Sequence, residues 1–319
     1  MYRRPAVLAL AVIGALAVGV VVLLFRPPAP TAVGPPRFVD ETAASGLSQR
    51  YDGPDTYQVG GGVAVFDCNG DRMPDLYLAG GEGPASLFRN RSVIGGALKF
   101  ERVASAVTDL PNVNGAYPID LDGDGEVDLA ILRNGENVLL RGSGDCSFER
   151  ANEALGFAGV DGQTTAFSAT WEGDASLPTL AIGHYLKLDD NGESTFTCDD
   201  DALIRPNVDG SAYAAATRLT PGFCSLSMLF SSWDGSLRRD LRVSNDRQYY
   251  RDGSEQLWRV APGEAPTPYT ADDGWAPLQI WGMGIASQDL TGDGLPEVYL
   301  TSQGDNKLQT LTAGSSQPA

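Results

Sequence analysis

Short apolar segments alternate with short loops rich in Asp and Gly along most of the chain. In one example, GAYPI at 115–119 leads into DLDGDGEVD at 120–128, and LAILRNG follows at 129–135. Runs of about four to eight apolar or alternating residues, bounded by Gly and Asp, are typical of β-strands. Neither flank has the apolar spacing or the caps of a helix. The pattern therefore predicts an all-β protein.

This strand–loop–strand unit recurs five times, with loops that begin at residues 67, 120, 171, 232 and 289. Further short segments follow several of the loops, such as SLFRN at 86–90 and KFERV at 99–103. Repeats of about 50 residues with four short strands predict the blades of a β-propeller. A solenoid of hairpins is the alternative architecture. Residues 37–47 look like an isolated fourth strand, which could pair with the last unit and close a ring of five blades.

The second loop has the composition of a calcium site. Aspartates occupy its positions 1, 3, 5 and 9, and Gly125 occupies position 6. Ca²⁺ takes about six to eight oxygens around a tight turn with a glycine at the bend. An EF-hand would also need Glu at position 12, where this chain has Ile131. The loop is therefore predicted to bind calcium between two strands.

Three of the five loops are predicted to hold Ca²⁺ through side chains at positions 1, 3, 5 and 9 and the backbone carbonyl at position 7. The candidate ligands are Asp67, Asn69, Asp71 and Asp75; Asp120, Asp122, Asp124, Glu126 and Asp128; and Asp289, Thr291, Asp293, Leu295 and Glu297.

Particular residues in the first, third and fourth loops make these loops weaker candidates for Ca²⁺ than the second. Arg72 stands at the bend of the first loop, where a positive φ is unfavourable for a residue with a β-carbon. The fourth loop has two serines and is a weaker candidate, and Trp171 replaces the first ligand of the third, which is expected to hold no ion. Asp and Gly also form turns without metal, but four carboxylates in one loop repel each other unless a cation is present. The ions are expected to be structural.

The charge of the chain excludes one class of partner. The net charge is −18, and the first 36 residues contain three arginines and no acid, which leaves −21 (−18 less 3) for the remainder. Such an acidic body repels nucleic acids and anionic lipids and attracts cations. A nucleic-acid partner is therefore not expected.

The N-terminal region has the properties of a membrane anchor. Residues 6–25 are uncharged and mostly apolar, and as a helix they would be about 30 Å long, enough to span a bilayer. Arg3 and Arg4 precede this run, and a Pro-rich linker at 27–36 follows it. We expect residues 1–26 to form an uncleaved signal anchor that places residues 37–319 in a periplasm or outside the cell. Secretion after signal cleavage is the alternative.

Four cysteines agree with an oxidising compartment. Cys198 and Cys224 bracket a poorly periodic segment and would close a loop of about 26 residues. Cys68 and Cys146 would then form the second pair. Four independent thiols are the alternative, and the spacing is not that of a zinc site.

Two segments resemble FG-GAP/VCBS repeats, which occur in integrin α-subunit propellers and in bacterial proteins similar to cartilage acidic protein. They are GVAVFDCNGDRMPDLYLAGG at 62–81 and GMGIASQDLTGDGLPEVYLTSQGDN at 282–306. FVDETAASGL at 38–47 also resembles the bacterial group. The resemblance implies a β-propeller, usually with seven blades, whose inter-strand loops hold Ca²⁺. Because this chain supplies five loops, either the ring is small or the sequence is part of a longer protein.

Signals for catalysis are few. The chain lacks GxSxG, GxxxxGK and HExxH motifs, and its one histidine, His184, lies in a strand-like segment typical of a structural residue. The aromatic run at 246–258 is interpreted as blade packing or as the rim of a sugar or peptide site. A non-periodic insertion at about 189–220 is the expected place for a partner.

These observations predict an interaction or adhesion module with an unidentified protein or glycan ligand. A calcium-dependent enzyme that acts on extracellular polysaccharide is the alternative, because a propeller fold does not exclude catalysis.

Overall fold

A computed structural model describes residues 35, 37–234, 236, 238–246 and 253–310. The predicted anchor at 6–25 lies outside these residues, as does nearly all of the Pro-rich linker. Within the part of the chain that is described, no helix is long and apolar enough to cross a membrane. Residues 1–40 and 41–319 form separate units, and every strand lies in the second unit.

Antiparallel strands make up nearly all of the regular structure. In chain order they are β1 (Val63–Phe66), β2 (Asp75–Leu78), β3 (Ser86–Asn90), β4 (Phe100–Val103), β5 (Val113–Ile119), β6 (Asp128–Gly135), β7 (Val138–Gly142), β8 (Phe148–Arg150), β9 (Gly162–Thr170), β10 (Thr179–His184), β11 (Leu186–Leu188), β12 (Ser194–Cys198), β13 (Asp201–Ile204), β14 (Thr217–Leu219), β15 (Ser225–Ser231), β16 (Asp240–Asn245), β17 (Gln256–Arg259), β18 (Thr267–Pro268), β19 (Gly282–Gln288), β20 (Glu297–Ser302) and β21 (Lys307–Gln309). The helical segments are α1 (Thr42–Ser45) and two 3₁₀ turns at Asp55–Tyr57 and Ala271–Asp273.

The strands form five successive units, which we call blades 1 to 5. Blade 1 is β1-β2-β3-β4, blade 2 is β5-β6-β7-β8, blade 3 is β9-β10-β13-β14, blade 4 is β15-β16-β17-β18, and blade 5 is β19-β20-β21. β6 also pairs with β9, which joins blades 2 and 3. The all-β prediction is confirmed, and each of the five sequence units forms one blade.

Successive blades pack face to face, which explains why their second strands are apolar on both sides. Along β6, Leu129 and Ile131 belong to the core shared with blade 1, whereas Ala130 and Leu132 belong to the core shared with blade 3. Alternate residues of a strand point to opposite faces, so one strand contributes to two cores. The next core joins blades 3 and 4 in the same way, around Ala181, Leu203, Phe230, Leu241 and Val243.

Two disulfides link these elements, and they are the two pairs proposed from the sequence. Cys68 bonds to Cys146, which connects the loop of blade 1 to the turn before β8. Cys198 bonds to Cys224, which connects the end of β12 to the residue before β15.

Two sequence-based expectations about strands are corrected. The segment at 189–220 is not a plain insertion, because it contains β12 and both outer strands of blade 3. β13 is a wholly buried run, DALI, so it lacks the alternation that marks a half-exposed strand. Residues 37–47 form no strand; Thr42–Ser45 is a helical turn that ends at Gly46, whose φ of 83° is the left-handed conformation of a helix C-cap.

Candidate metal centre

The Asp-rich loops occupy the same place in every blade. Each connects the first strand to the second, and its position 9 is the first residue of the second strand. The five loops therefore share the same position between strands, and their side chains differ in what they can bind. The position-9 residues are Asp75, Asp128, Thr179, Asp240 and Glu297.

The second loop gathers three carboxylates. Oxygens of Asp120, Asp122 and Asp124 all lie within 4.8 Å of one another. The Asp120 carboxylate accepts the Gly123 and Gly125 N–H groups at 2.8 and 3.1 Å, which wraps the backbone around it. Both glycines have positive φ, at 75° and 88°, a conformation that residues with a β-carbon rarely adopt.

This cluster has the properties of a cation site. Oδ1 of Asp122 is buried and has no hydrogen-bond partner among the described residues, while Oδ2 forms an ion pair with Arg141 Nε at 2.7 Å. A buried carboxylate oxygen without a partner is unfavourable, and three neighbouring carboxylates repel one another. A hard cation bound by carboxylate oxygens would remove both penalties. The residues present therefore fit a metal ion.

Asp128, at position 9, has a second role that the sequence did not reveal. Its carboxylate accepts the Leu121 N–H at 2.7 Å and the Gly142 N–H at 2.8 Å, which ties the loop to the end of β7. The pKa of Asp128 is raised to about 6, mainly by burial and to a smaller extent by the charges of Asp122 and Asp124, against the lowering effect of the two hydrogen bonds. Asp128 is not one of the three clustered carboxylates.

The first loop has the same backbone geometry with one acid fewer. Asp67 accepts the N–H groups of Gly70 and Arg72 at 2.8 and 2.7 Å, and Asn69 Nδ2 donates to Asp71 at 2.9 Å. Arg72 has a φ of 67°, the positive value expected at the bend. With Asn69 at position 3, this loop gathers no group of three acids among the described residues, and its ligand set stays a prediction.

The fifth loop repeats the arrangement with Thr291 at position 3. Asp289 accepts the N–H groups of Gly292 and Gly294 at 2.7 and 2.9 Å, and these bonds lower its pKa. Glu297 accepts the Leu290 N–H at 2.6 Å. Its role as a metal ligand also stays a prediction.

In the third and fourth loops an acid pairs with an arginine, which comes from the residue after β13 for the third loop and from within the loop itself for the fourth. In the fourth, Arg238 Nε lies 3.0 Å from Asp240, whose carboxylate also accepts bonds from Trp233 Nε1 and the Tyr269 hydroxyl. In the third, Arg205 Nε lies 2.7 Å from Glu172. These two loops are neutralised by the protein itself.

A cleft, here called the mouth cleft, opens at the end of the blades opposite to the acidic loops. It has a volume of 640 Å³ and lies where first strands begin and second strands end. Its lining comes from blades 3, 4 and 5 and from the segment before β1: Gln58, Val59, Tyr185, Leu226, Asp246, Trp281, Met283 and Gln303. Sequence reasoning missed it, because these residues are far apart along the chain.

A second cleft, of 710 Å³, lies beside the β11–β12 hairpin within the region expected to carry a partner site. Its charged lining is mixed: Glu82, Asp161, Lys187, Asp189, Glu193, Asp199 and Arg218. His184 lies nearby but is only 2% exposed. Its Nδ1 is 2.8 Å from the Asp200 carbonyl oxygen, and burial lowers its pKa, so the ring is neutral and structural at neutral pH.

The described chain thus consists of repeated antiparallel blades with a loop between the first two strands of each. The FG-GAP-like repeat family matches residues 67–131, from the first loop to the middle of β6. The chain therefore carries an FG-GAP-like repeat, and the resemblance seen in the sequence is confirmed.

Among curated proteins, none matches the chain. Two solved structures are similar. One is an Agrocybe aegerita lectin, described as recognising non-reducing terminal N-acetylglucosamine; it is 14% identical, with 82% of this chain and 68% of that chain covered and a TM-score of 0.41. The other is BBS1N in complex with ARL6DN, at 10% identity, with 83% of this chain and 80% of that chain covered and a TM-score of 0.35.

Proposed function

We propose that this protein is an extracytoplasmic binding module whose acidic loops hold Ca²⁺ as structural ions. The observation that carries this proposal is the cluster of Asp120, Asp122 and Asp124, in which one buried oxygen of Asp122 lacks a partner. Carboxylate and carbonyl oxygens suit Ca²⁺, which tolerates irregular geometry and many ligands, better than Mg²⁺, which keeps several waters in a strict octahedron.

The proposed ligand set of the second loop adds Asp128 and the Glu126 carbonyl to the cluster. Asp67, Asn69, Asp71 and Asp75 form the set of the first loop, and Asp289, Thr291, Asp293, the Leu295 carbonyl and Glu297 form that of the fifth. In each loop, an ion would fix the connection between the first two strands of the blade.

An extracytoplasmic location is supported by the two disulfides, since such bonds persist in oxidising compartments. We extend the proposal to the apolar run at 6–25, which would anchor the module in a membrane, with cleaved secretion as the alternative.

A binding role is preferred to the alternative, a calcium-dependent polysaccharide-cleaving enzyme. Hydrolysis of a glycoside usually needs two carboxyl groups on opposite sides of the bond. Asp246 is the one acidic residue that lines the mouth cleft, within the part of the chain described here.

Thermal unfolding of the purified chain in millimolar Ca²⁺ and then in chelator tests the proposal. A ligand at about 100 times its dissociation constant adds about 2.7 kcal/mol per site, which should raise the midpoint by several degrees. Millimolar Mg²⁺ should raise it much less. Equal midpoints in Ca²⁺ and in chelator would contradict the calcium assignment.

A further inference from the structure

The mouth cleft combines an exposed indole with hydrogen-bonding groups of both kinds. Trp281 is 41% exposed at its edge, whereas most large aromatic side chains of the blades are buried in the cores. The indole lies against Gly304, where an added β-carbon would be 3.5 Å from Trp281 Cε3. The Gln303 N–H donates to the Trp281 carbonyl at 3.2 Å, so the two residues that face the cleft are held together by backbone.

A buried carboxylate forms another part of the wall. Asp246 is 7% exposed, and its carboxylate accepts a short hydrogen bond from the Tyr185 hydroxyl. Its backbone N–H donates to the Cys224 carbonyl at 3.0 Å, next to the Cys198–Cys224 disulfide. Asp246 is therefore held through its side chain and through its backbone before any ligand arrives, which lowers the entropic cost of binding.

The two glutamines, the charge of the lining and the volume of the cleft indicate which kind of ligand could bind. Gln58 and Gln303 carry amides that can both donate and accept, and the Gln58 amide is oriented by a 3.1 Å bond to Asp55. No lysine or arginine is among the described residues that line the cleft, and the Asp246 carboxylate repels an anion. The volume of 640 Å³ lies within the range of about 300–1,000 Å³ typical of small-molecule sites.

We infer that the mouth cleft binds a neutral saccharide, with a pyranose ring stacked on Trp281 and its hydroxyls hydrogen-bonded to Asp246 and the two glutamines. A pyranose ring presents an apolar C–H face and a rim of hydroxyls that act as both donors and acceptors. The aromatic face of Trp281 can pack on the C–H face of the sugar, and a carboxylate with two amides can hydrogen-bond to its hydroxyls. This inference rests on the proposed binding function and names its ligand class.

An organic ammonium ion is the competing ligand, because a carboxylate beside an indole also suits a cation. Such ions are usually held by several exposed aromatic faces, whereas Tyr185, the second aromatic among the described lining residues, is only 4% exposed. The paired amides also add little for a cation without hydroxyls. The saccharide is therefore the better match.

The test is a glycan array of neutral mono- and oligosaccharides probed with the full chain, followed by titration of the best sugar and of choline with tryptophan fluorescence. We expect a sugar to bind, and both Trp281→Ala and Asp246→Asn to weaken its binding at least tenfold. Trp171→Ala is the matched control, because Trp171 is 46% exposed in the third loop, at the opposite end of its blade. It should leave the affinity unchanged.

Three results would overturn the inference: no neutral sugar on the array binds, choline binds in preference to every sugar, or Trp171→Ala weakens binding as much as Trp281→Ala. Calcium-dependent unfolding is measured separately on the same preparations. A chain that is stabilised by Ca²⁺ but binds no sugar would reject the saccharide site and leave the calcium assignment intact.

Discussion

The second and fourth loops both bury the aspartate at position 9, but the charges around that aspartate differ. Each places a buried aspartate at the start of its second strand, Asp128 at 0% exposure and Asp240 at 1%. In the second loop, Asp122 and Asp124 add further negative charge, and the pKa of Asp128 is raised to about 6, chiefly by burial. In the fourth, burial also acts to raise the pKa of Asp240, but hydrogen bonds from Arg238 and neighbouring groups hold it below its usual range.

Each loop has two separate roles: it hydrogen-bonds to the third strand of its blade, and it brings positive charge to its acidic residues. Asp128 and Asp240 both accept an N–H at the end of the third strand, from Gly142 at 2.8 Å and from Val260 at 3.1 Å. That bond organises the blade with or without an ion. The positive charge near the position-9 aspartate comes from a guanidinium in the fourth loop, whereas we propose that Ca²⁺ supplies it in the second.

The largest expected effect comes from removing the built-in cation. Arg238→Met leaves the buried Asp240 carboxylate without its ion pair; because the Arg238 side chain is itself 34% exposed, we expect a loss near the lower end of the about 3–5 kcal/mol that breaking a fully buried pair costs. Urea unfolding should show this loss with and without Ca²⁺. Arg239→Met, at an exposed neighbour, should change stability by about 0.5 kcal/mol or less. Equal losses in both variants would show that the ion pair is not what stabilises the fourth loop.

The second-largest expected effect is a loss of calcium-dependent stability when the second loop is changed. Asp122→Asn removes a carboxylate from the cluster and should abolish about 2.7 kcal/mol of the stabilisation that saturating Ca²⁺ provides. In chelator, the variant should unfold within about 1 kcal/mol of the unmodified chain, because only the Arg141 pair is lost. The stabilisation by Ca²⁺ is measured, for the variant and for the unmodified chain, as the difference between the unfolding free energies in Ca²⁺ and in chelator.

Asp174→Asn is the matched control for that prediction. Asp174 is an exposed aspartate in the third loop, which is expected to hold no ion. It should retain the full calcium-dependent gain. If Asp122→Asn also retains it, the cluster of three carboxylates is not a calcium site.

Local patterns in the sequence predicted much of this architecture. The five loops, their flanking strands and the positive φ of Arg72 follow from the residues between the first and second strands of each blade. These features are short-range, so composition and spacing are sufficient to reveal them.

Features that depend on distant residues were missed. β13 is buried and β14 is very short, and their strand character comes from pairing, of β13 with β10 and of β14 with β13, rather than from alternation. The tie between Asp128 and Gly142 joins residues in different strands, and the mouth cleft joins Gln58 to Gln303. Which residues meet across blades is set by tertiary packing, so one sequence without related sequences does not display it.

A third prediction tests whether an arginine nearby is enough to keep a buried acid charged. Glu255 lies near Arg242 in blade 4, yet burial raises its pKa from an ordinary 4.5 to about 8. The folded chain then holds a proton that the unfolded chain releases, so the contribution of Glu255 to stability is greatest below about pH 4.5 and is lost as the pH rises to about 8. A single group of this kind contributes a slope of up to about 1.4 kcal/mol per pH unit.

Glu255→Gln keeps the carbonyl that accepts the Asn245 N–H at 3.0 Å but does not titrate. Urea unfolding between about pH 5 and 8 should therefore show a flatter decline in this variant than in the unmodified chain. The decline should not vanish, because burial also raises the pKa of Asp201 to about 7. An unchanged slope would mean that Arg242 keeps Glu255 ionised, as Arg238 does for Asp240.

The smallest effect compares the bends of the acidic loops. Gly125 and Gly294 have φ of 88° in the second and fifth loops, whereas the first loop forces Arg72 to a φ of 67°. A left-handed conformation costs a residue with a β-carbon about 1–2 kcal/mol, and the greater freedom of glycine in the unfolded chain offsets part of this. Arg72→Gly should thus raise the unfolding free energy by about 0.5 kcal/mol, and Gly125→Ala should lower it. Both are measured in chelator, so that the strain of the bend is separated from ion binding; a loss of stability in Arg72→Gly would show that the arginine side chain contributes more than its backbone strain removes.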